Sequence, residues 1–506
     1  MFMRYHIIFF LLIQILISGC ENYGHRNDTA NSDSLMSQKY CGSCHVSVSP
    51  SMLDSTTWID HVLPAMGKKL GIGVWHRNQY YSIKKNDSGD YISMAEWDKI
   101  VEYYGTQSPK NFQHRKRDQL QQGWSVFSLE RPPGKFVGES TTTLVAIDSS
   151  SHTLYTSDGS GGLNKWNSSL KKIQSSMLPS QAVDMKFFDT PNRSSAIITC
   201  IGNIEATDSE LGKLVMVNTQ KIDSLEVMAE RLRRPVNSIS YDYDRDGNLE
   251  TVIAGFGYNL GSLSIVRKNK KGIYINTAVW SVTGALQMES TDFNNDGWMD
   301  FLVLFAQGDE GIWLFENNRN GTFNKKRLLQ FSPLNGSSSF QLVDFNNDGK
   351  QDILYTCGDN SDYSKVLKPF HGLYIYLQTD SGSFKQAYFY PIDGCTKAIA
   401  KDFDKDGKLE IATIAFFADL VDFPQGKFLF FKETSPLQFK PIEIPVKNEG
   451  RWMCMDAKDI DGDDDIDIVL GNYSRGFINQ DSVKHNWNTT TPFIILKNNS
   501  SANSRP

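Results

Sequence analysis

DFNNDGKQD, residues 344–352, sets an acid or amide at its first, third and fifth positions, glycine at the sixth and an acid at the ninth. The chain repeats the arrangement as DYDRDGNLE (242–250), DFNNDGWMD (292–300), DFDKDGKLE (402–410) and DIDGDDDID (459–467). That many hard oxygens around one small loop suits Ca2+, which takes about six to eight oxygen ligands. A helix-flanked calcium loop begins in the same way, but needs a bidentate Glu at position twelve and helices on both sides. Position twelve here is Ile253, Val303, Tyr355, Thr413 or Leu470, and the segments that follow (TVIAGFG, FLVLFA, DILYTCG, EIATIAFF, DIVLGN) are short, β-rich and soon broken. Helix-flanked loops are excluded, and each copy sits between two strands.

Successive copies start 50, 52, 58 and 57 residues apart. A period near fifty predicts propeller blades or another array. Each repeat carries a later strand of similar character, GKLVMVN, GSLSIVRK, GIWLFENN, HGLYIYLQ or GKFLFFKE, whose alternation suits sheets packed face to face. Two earlier segments, around Asp148 and Asp189, keep the rhythm without the acids, which makes seven units. The last unit ends TPFIILKN, and a strand from residues 125–136 is expected to complete its blade, because closure removes exposed edges.

The pattern resembles the FG-GAP/VCBS repeats of integrin-type β-propellers, in which a calcium loop joins two strands of a blade. The resemblance implies up to five Ca2+ ions. Their ligands would be Asp242, Asp244, Asp246 and Glu250; Asp292, Asn294, Asp296 and Asp300; Asp344, Asn346, Asp348 and Asp352; Asp402, Asp404, Asp406 and Glu410; and Asp459, Asp461, Asp463 and Asp467. The fifth copy departs at position six, where Asp464 replaces glycine; Asp tolerates positive φ better than most residues, which weakens that site without removing it. Enclosed in this way, calcium would act as a structural clamp. In the strands before the loops, Asn237, Gln287, Glu289, Ser339, Gln341, Lys397 and Asp456 alternate with apolar or small residues, and period two would aim them into a central channel.

Residues 40–67, YCGSCHVSVSPSMLDSTTWIDHVLPAMG, belong to a different chemistry. A thioredoxin-like redox pair wants a βαβ context, and a structural zinc site wants a second ligand pair; neither surrounds Cys41 and Cys44. Attachment of haem c needs two thiols one helical turn apart and an imidazole directly after them, which Cys41, Cys44 and His45 supply. With VLPAMG and the amphipathic MAEWDKIVEYYG, residues 35–110 resemble a small monohaem c-type cytochrome domain. That resemblance implies a haem-bearing N-terminal helix crossed by a C-terminal one, whose packed face Trp97, Ile100, Val101 and Tyr104 would form at helical spacing. The sixth iron ligand in such domains is usually a methionine from a loop after a proline. Met66, two residues past Pro64, resembles it, with His61, His76, Met52 or water as alternatives.

The chain opens MFMRYHIIFFLLIQILISGC, with Arg4 ahead of an apolar run, Ile7 to Ile17, too short to span a bilayer. It reads as an export signal, residues 1–19, and ISGC resembles a bacterial lipobox, which implies a lipid on Cys20. Residues 20–34 then read as a polar tether. The protein is expected outside the cytoplasm, held to a membrane by lipid alone.

The expected fold is therefore mainly β: a seven-bladed propeller over residues 111–500 behind a small all-α cytochrome c domain. With 52 basic against 58 acidic residues in 506, for a net charge of −6, no basic face for nucleic acid is expected. Three functions remain open. One is an electron-transfer lipoprotein whose propeller binds a redox partner or dehydrogenase, a carbohydrate or another surface protein. A second is a propeller enzyme that oxidises or cleaves a sugar and uses the haem as electron outlet. The third is an adhesion module in which CGSCH is a disulfide. No triad or positioned carboxylate pair follows from spacing, so no catalytic residue is assigned. Pairing of Cys395 with Cys357 or Cys454 stays undecided, as does any partner for Cys200.

Overall fold

The computed structural model describes residues 27–76, 79–83, 92–111, 117, 119–190, 193–361, 364–478, 480 and 483–503. The export segment and Cys20 lie outside the described residues. The chain divides into two compact units, Met1–Gln113 and His114–Pro506. Among the described residues no helix is long and apolar enough to cross a membrane.

In the first unit a helix spans Asn27–Cys41, so it begins inside the segment expected to be a tether. Its last turns are fixed by packing: Ser37 Oγ lies 3.0 Å from the Tyr104 hydroxyl, and Tyr40 donates to Glu96 at 2.8 Å. Helix Met94–Gln107 starts with a capping box, in which the Ser93 side chain receives the Glu96 amide while the Glu96 carboxylate receives the Ser93 amide. Its spacing turns Trp97, Ile100 and Tyr104 fully inward and leaves Val101 half-buried, close to the expected face. The all-α expectation needs correction. Ile72–His76 and Gln79–Ser82 form an antiparallel hairpin, because β-branched and aromatic residues dominate IGVW and QYYS, and Gly73 leaves room for the Tyr81 ring against it. Pro64 and Met66, expected in a loop, sit in helix Leu63–Lys69, where proline is tolerated in the first turn.

In the second unit seven antiparallel sheets follow one another along the chain. The first holds Thr142–Asp148, Thr153–Asp158, Gly162–Asn167 and Lys172–Met177. The next five occupy 182–232, 235–280, 285–330, 337–391 and 395–443. The seventh takes Trp452–Lys458, Asp467–Asn472 and Phe493–Asn498, and is completed by Phe127–Glu130, which pairs Ile495 with Glu130 and Asn498 with Phe127. This is a seven-bladed β-propeller closed by a strand from the start of the unit, as the open edge of the last repeat required. A short parallel strand, Gln121–Gln122, adds a fifth member to blade six, which the sequence did not announce.

Packing follows the blades. The second strand of blades three to seven is buried along its whole length, so each reads as a continuous apolar run. The described residues form seven apolar clusters, one at each blade-to-blade contact; one cluster, for example, joins Tyr243 and Ile265 of blade three to Phe301 and Phe305 of blade four. The hydrophobic stabilisation is therefore spread around the ring rather than held in one core.

Candidate functional site

The five acidic loops join the first and second strands of blades three to seven. In the first four, the position-one acid receives two backbone amides: Asp242 those of Asp246 and Gly247, both at 3.0 Å, and Asp344 those of Asp348 and Gly349 at 3.1 and 2.8 Å. Asp292 and Asp402 do the same. The position-nine acid opens the buried second strand and receives the amide of position two, as in Tyr243 to Glu250 at 2.8 Å. Positions four and six are both left-handed, with φ of 60° at Arg245 and 87° at Gly247. The fifth loop moves its glycine to position four, Gly462 at 85°, and holds Asp464 at 65°, so Asp takes the positive φ expected of it.

Carboxylate oxygens of Asp242, Asp244, Asp246 and Glu250 lie within 4.8 Å of one another, as do those of Asp402, Asp404 and Glu410, and of Asp459, Asp461 and Asp467. Burial pushes the carboxyls of Glu250, Glu410 and Asp467 up to about 7 and raises those of Asp300 and Asp352. Glu410 Oε1 and Asp461 Oδ1 are buried with no hydrogen-bond partner. Crowded acids with unmet oxygens fit a divalent cation. Blade one holds its turn differently: Asp148 is met by the Ser150 amide and hydroxyl and by the Ser151 hydroxyl, an Asx turn that needs no ion.

Sequence reading missed the cations facing these loops. Lys432 of blade six pairs with Asp404, and Lys497 of blade seven with Asp461. Arg267 holds the same register in blade three and lowers the Glu250 carboxyl against its burial. Blades four and five carry Glu316 and Leu377 there.

The expected channel side chains do point off the inner strands, but most are spent on the next blade's backbone. Asn237 receives the Met288 amide at 2.9 Å, and Gln287 brackets Phe340, donating to its carbonyl and receiving its amide. Gln341 brackets Ala400 in the same way, Lys397 donates to the Met455 carbonyl, and Asp456 receives the Ile147 amide at 2.8 Å. Glu289 receives the Leu342 amide, and Ser339 pairs within its own blade with Thr356. An inner strand leaves one edge without a ladder partner, and these side chains supply it.

In the first unit, Cys41 closes its helix with its thiol 3.9 Å from Ser37 Oγ, and Cys44 is exposed; burial raises the Cys41 thiol. His45 Nδ1 lies 2.9 Å from the Val46 carbonyl. A carbonyl only accepts, so in the neutral imidazole Nδ1 carries the proton and Nε2 the lone pair. Among the described residues the buried donors Tyr80 OH and Trp97 Nε1 have no acceptor, and Trp75 is 83% exposed. Free thiols, an available imidazole nitrogen and unmet donors fit a porphyrin with carboxylate side chains. Met66 and Met52 are half-buried, and His61 and His76 are exposed. Cys200, Cys357, Cys395 and Cys454 are free thiols.

A family model for the FG-GAP-like repeat matches residues 292–355. No curated protein matches the sequence. Among solved structures, the chain is similar to the N-terminal domain of Nup159 (11% identity, 75% of this chain and 99% of that one, TM-score 0.42). It is also similar to BBS1N in complex with ARL6DN (8% identity, 74% and 97%, TM-score 0.44) and to the Neurospora crassa Pan2 WD40 domain (11% identity, 66% and 86%, TM-score 0.41). Likenesses at this level carry nothing about function, and the fold rests on the blade pairing itself. The second unit is thus a seven-bladed propeller with FG-GAP-like repeats.

Proposed function

We propose that the chain is an extracytoplasmic electron carrier. Its first unit would hold haem c through Cys41 and Cys44, with His45 as a ligand to the iron. A lipid on Cys20 tethers it to a membrane, and the calcium-braced propeller docks a redox partner such as a dehydrogenase. The observation that carries this reading is the His45 imidazole, pinned through Nδ1 to a backbone carbonyl directly after two free thiols, so that Nε2 remains for a metal. When bound, haem c supplies a one-electron couple.

The chain's own residues do the rest. Packing of Ser37 and Tyr104 fixes the helix end that carries Cys41. Burial keeps the Cys41 thiol protonated at neutral pH. Met66 would be the second ligand to the iron, with Met52, His61, His76 or water as the alternatives to be tested. In the propeller, calcium that binds only the folded loops adds stability by linkage.

The protein should be produced in a host with haem-attachment machinery, denatured and extracted with acidified acetone. Covalent haem stays with the polypeptide, and a Cys41→Ala/Cys44→Ala variant loses it. Complete extraction from the unaltered chain would refute the reading.

A further inference from the structure

On the face opposite the acidic loops, the loops of blades seven, one and two line an open cleft of about 600 Å3. That lies inside the roughly 300–1,000 Å3 range of small-ligand sites. Glu139, Gln181, Glu205, Tyr473, Arg475 and Phe477 are among the residues that line it. Among the described residues, none of the polar side-chain ends of the first five has a hydrogen-bond or ion-pair partner, although the Tyr473 residue is only 7% exposed. The inner-strand side chains are, by contrast, mostly spent on backbone.

The loop that presents three of these groups is held at a cost. Gly476 and Phe477 both lie in left-handed backbone, at φ of 65° and 53°, which a bulky residue such as Phe adopts only under constraint. The constraint is Arg451, 1% exposed, which donates to the Gly476 and Phe477 carbonyls at 2.7 Å each and to the Phe416 carbonyl at 3.1 Å. Its guanidinium also stacks 3.8 Å from the Phe416 ring centroid, and among the described residues it has no ion-pair partner. A buried cation that donates to three loop carbonyls is a positioning device.

We infer that this mouth binds a neutral oligosaccharide. Two carboxylates against one guanidinium disfavour phosphate or a polyanion. The mixture of pure acceptors, a pure donor and an amide suits hydroxyl groups, each of which both gives and accepts. Phe477, half-buried and backed by the Tyr473 ring at a centroid distance of 6.2 Å, offers an apolar face to the C–H side of a sugar ring. The inference rests on the reading of the propeller as a docking module, and it gives that module a ligand class.

The test is calorimetry of the full chain in detergent against cello-, malto-, xylo- and chito-hexaose. Saturable binding of at least one of them is expected, weakened about tenfold or more in Glu205→Ala and in Arg475→Ala, since each removes charged hydrogen-bond partners. Both side chains are exposed, and circular dichroism confirms that the variants fold. Glu226→Ala, on the blade-two edge, should bind normally. Failure of all four sugars, or binding unchanged in both variants, overturns the inference, and preference for a sulfated or uronic-acid hexamer overturns the ligand class. The haem reading is scored separately: a coloured protein that ignores sugars sinks only this inference, and a colourless one that binds them sinks only the other.

Discussion

On one face of the propeller five turns share a backbone, with left-handed residues at positions four and six and, in the first four, one acid receiving the amides of positions five and six. On the opposite face the loops between second and third strands run from three residues in blade one (159–161) to twenty in blade seven (473–492), and no two have the same length. The first face repeats because an acidic turn of this kind is a local object whose acids all lie within nine residues. The second varies because each loop is held by groups far away in sequence, as Arg451 holds residues 476–477 and Gln480 receives the Leu420 amide. In the proposal the regular face braces and the irregular one recognises.

Chelation should break this comparison most visibly. If each loop is saturated at a hundredfold excess over its Kd, it adds about 2.7 kcal/mol, so removal of calcium from several loops should lower Tm by about 10 °C or more. Scanning calorimetry with and without EDTA reads this, and sugar binding at the other face should persist below the new Tm. Next comes Arg451→Met, which leaves three carbonyls without their donor. A loss of about 3–4 kcal/mol in urea unfolding is expected, with calcium binding unchanged.

Third is a pH effect from the recognising face. Glu310 is fully buried, and burial pushes its carboxyl up to about 7, so the folded state favours the protonated form. Its contribution to stability is fully present below the unfolded value of about 4.5 and is lost as the pH rises through 7, by about 3 kcal/mol. Glu310→Gln, which can still receive the Ser337 amide, should flatten that slope in unfolding measured from pH 5 to 8. Smallest is Lys432→Met. Removing the ammonium beside Asp404 should tighten calcium at the 402–410 loop by about tenfold in titration calorimetry, while Leu377→Lys should weaken the blade-five loop.

What the sequence made legible follows the same division. Five copies of one local pattern gave the blade period, and the unpaired edge after Asn498 gave the closing strand, Phe127–Glu130. Period two correctly turned Asn237, Gln287 and Gln341 inward, but alternation cannot say whether an inward polar group meets water or a neighbour's amide. In the first four copies the positive φ at position four, held by Arg, Asn and Lys, left no glycine to announce it. The Gln121–Gln122 strand and the mouth residues Glu139, Gln181 and Tyr473 are set by contacts between distant segments, so no spacing carried them. The CGSCH motif carries the haem proposal because its thiol spacing and adjacent imidazole are local. A second ligand from elsewhere in the unit would leave no such local signal.

The most direct test of the account is the visible absorption spectrum of the purified full chain, matured with haem-attachment machinery and recorded before and after dithionite. The account predicts a Soret band together with α and β bands that sharpen on reduction and vanish in the Cys41→Ala/Cys44→Ala variant. A folded protein with no visible absorption would contradict it.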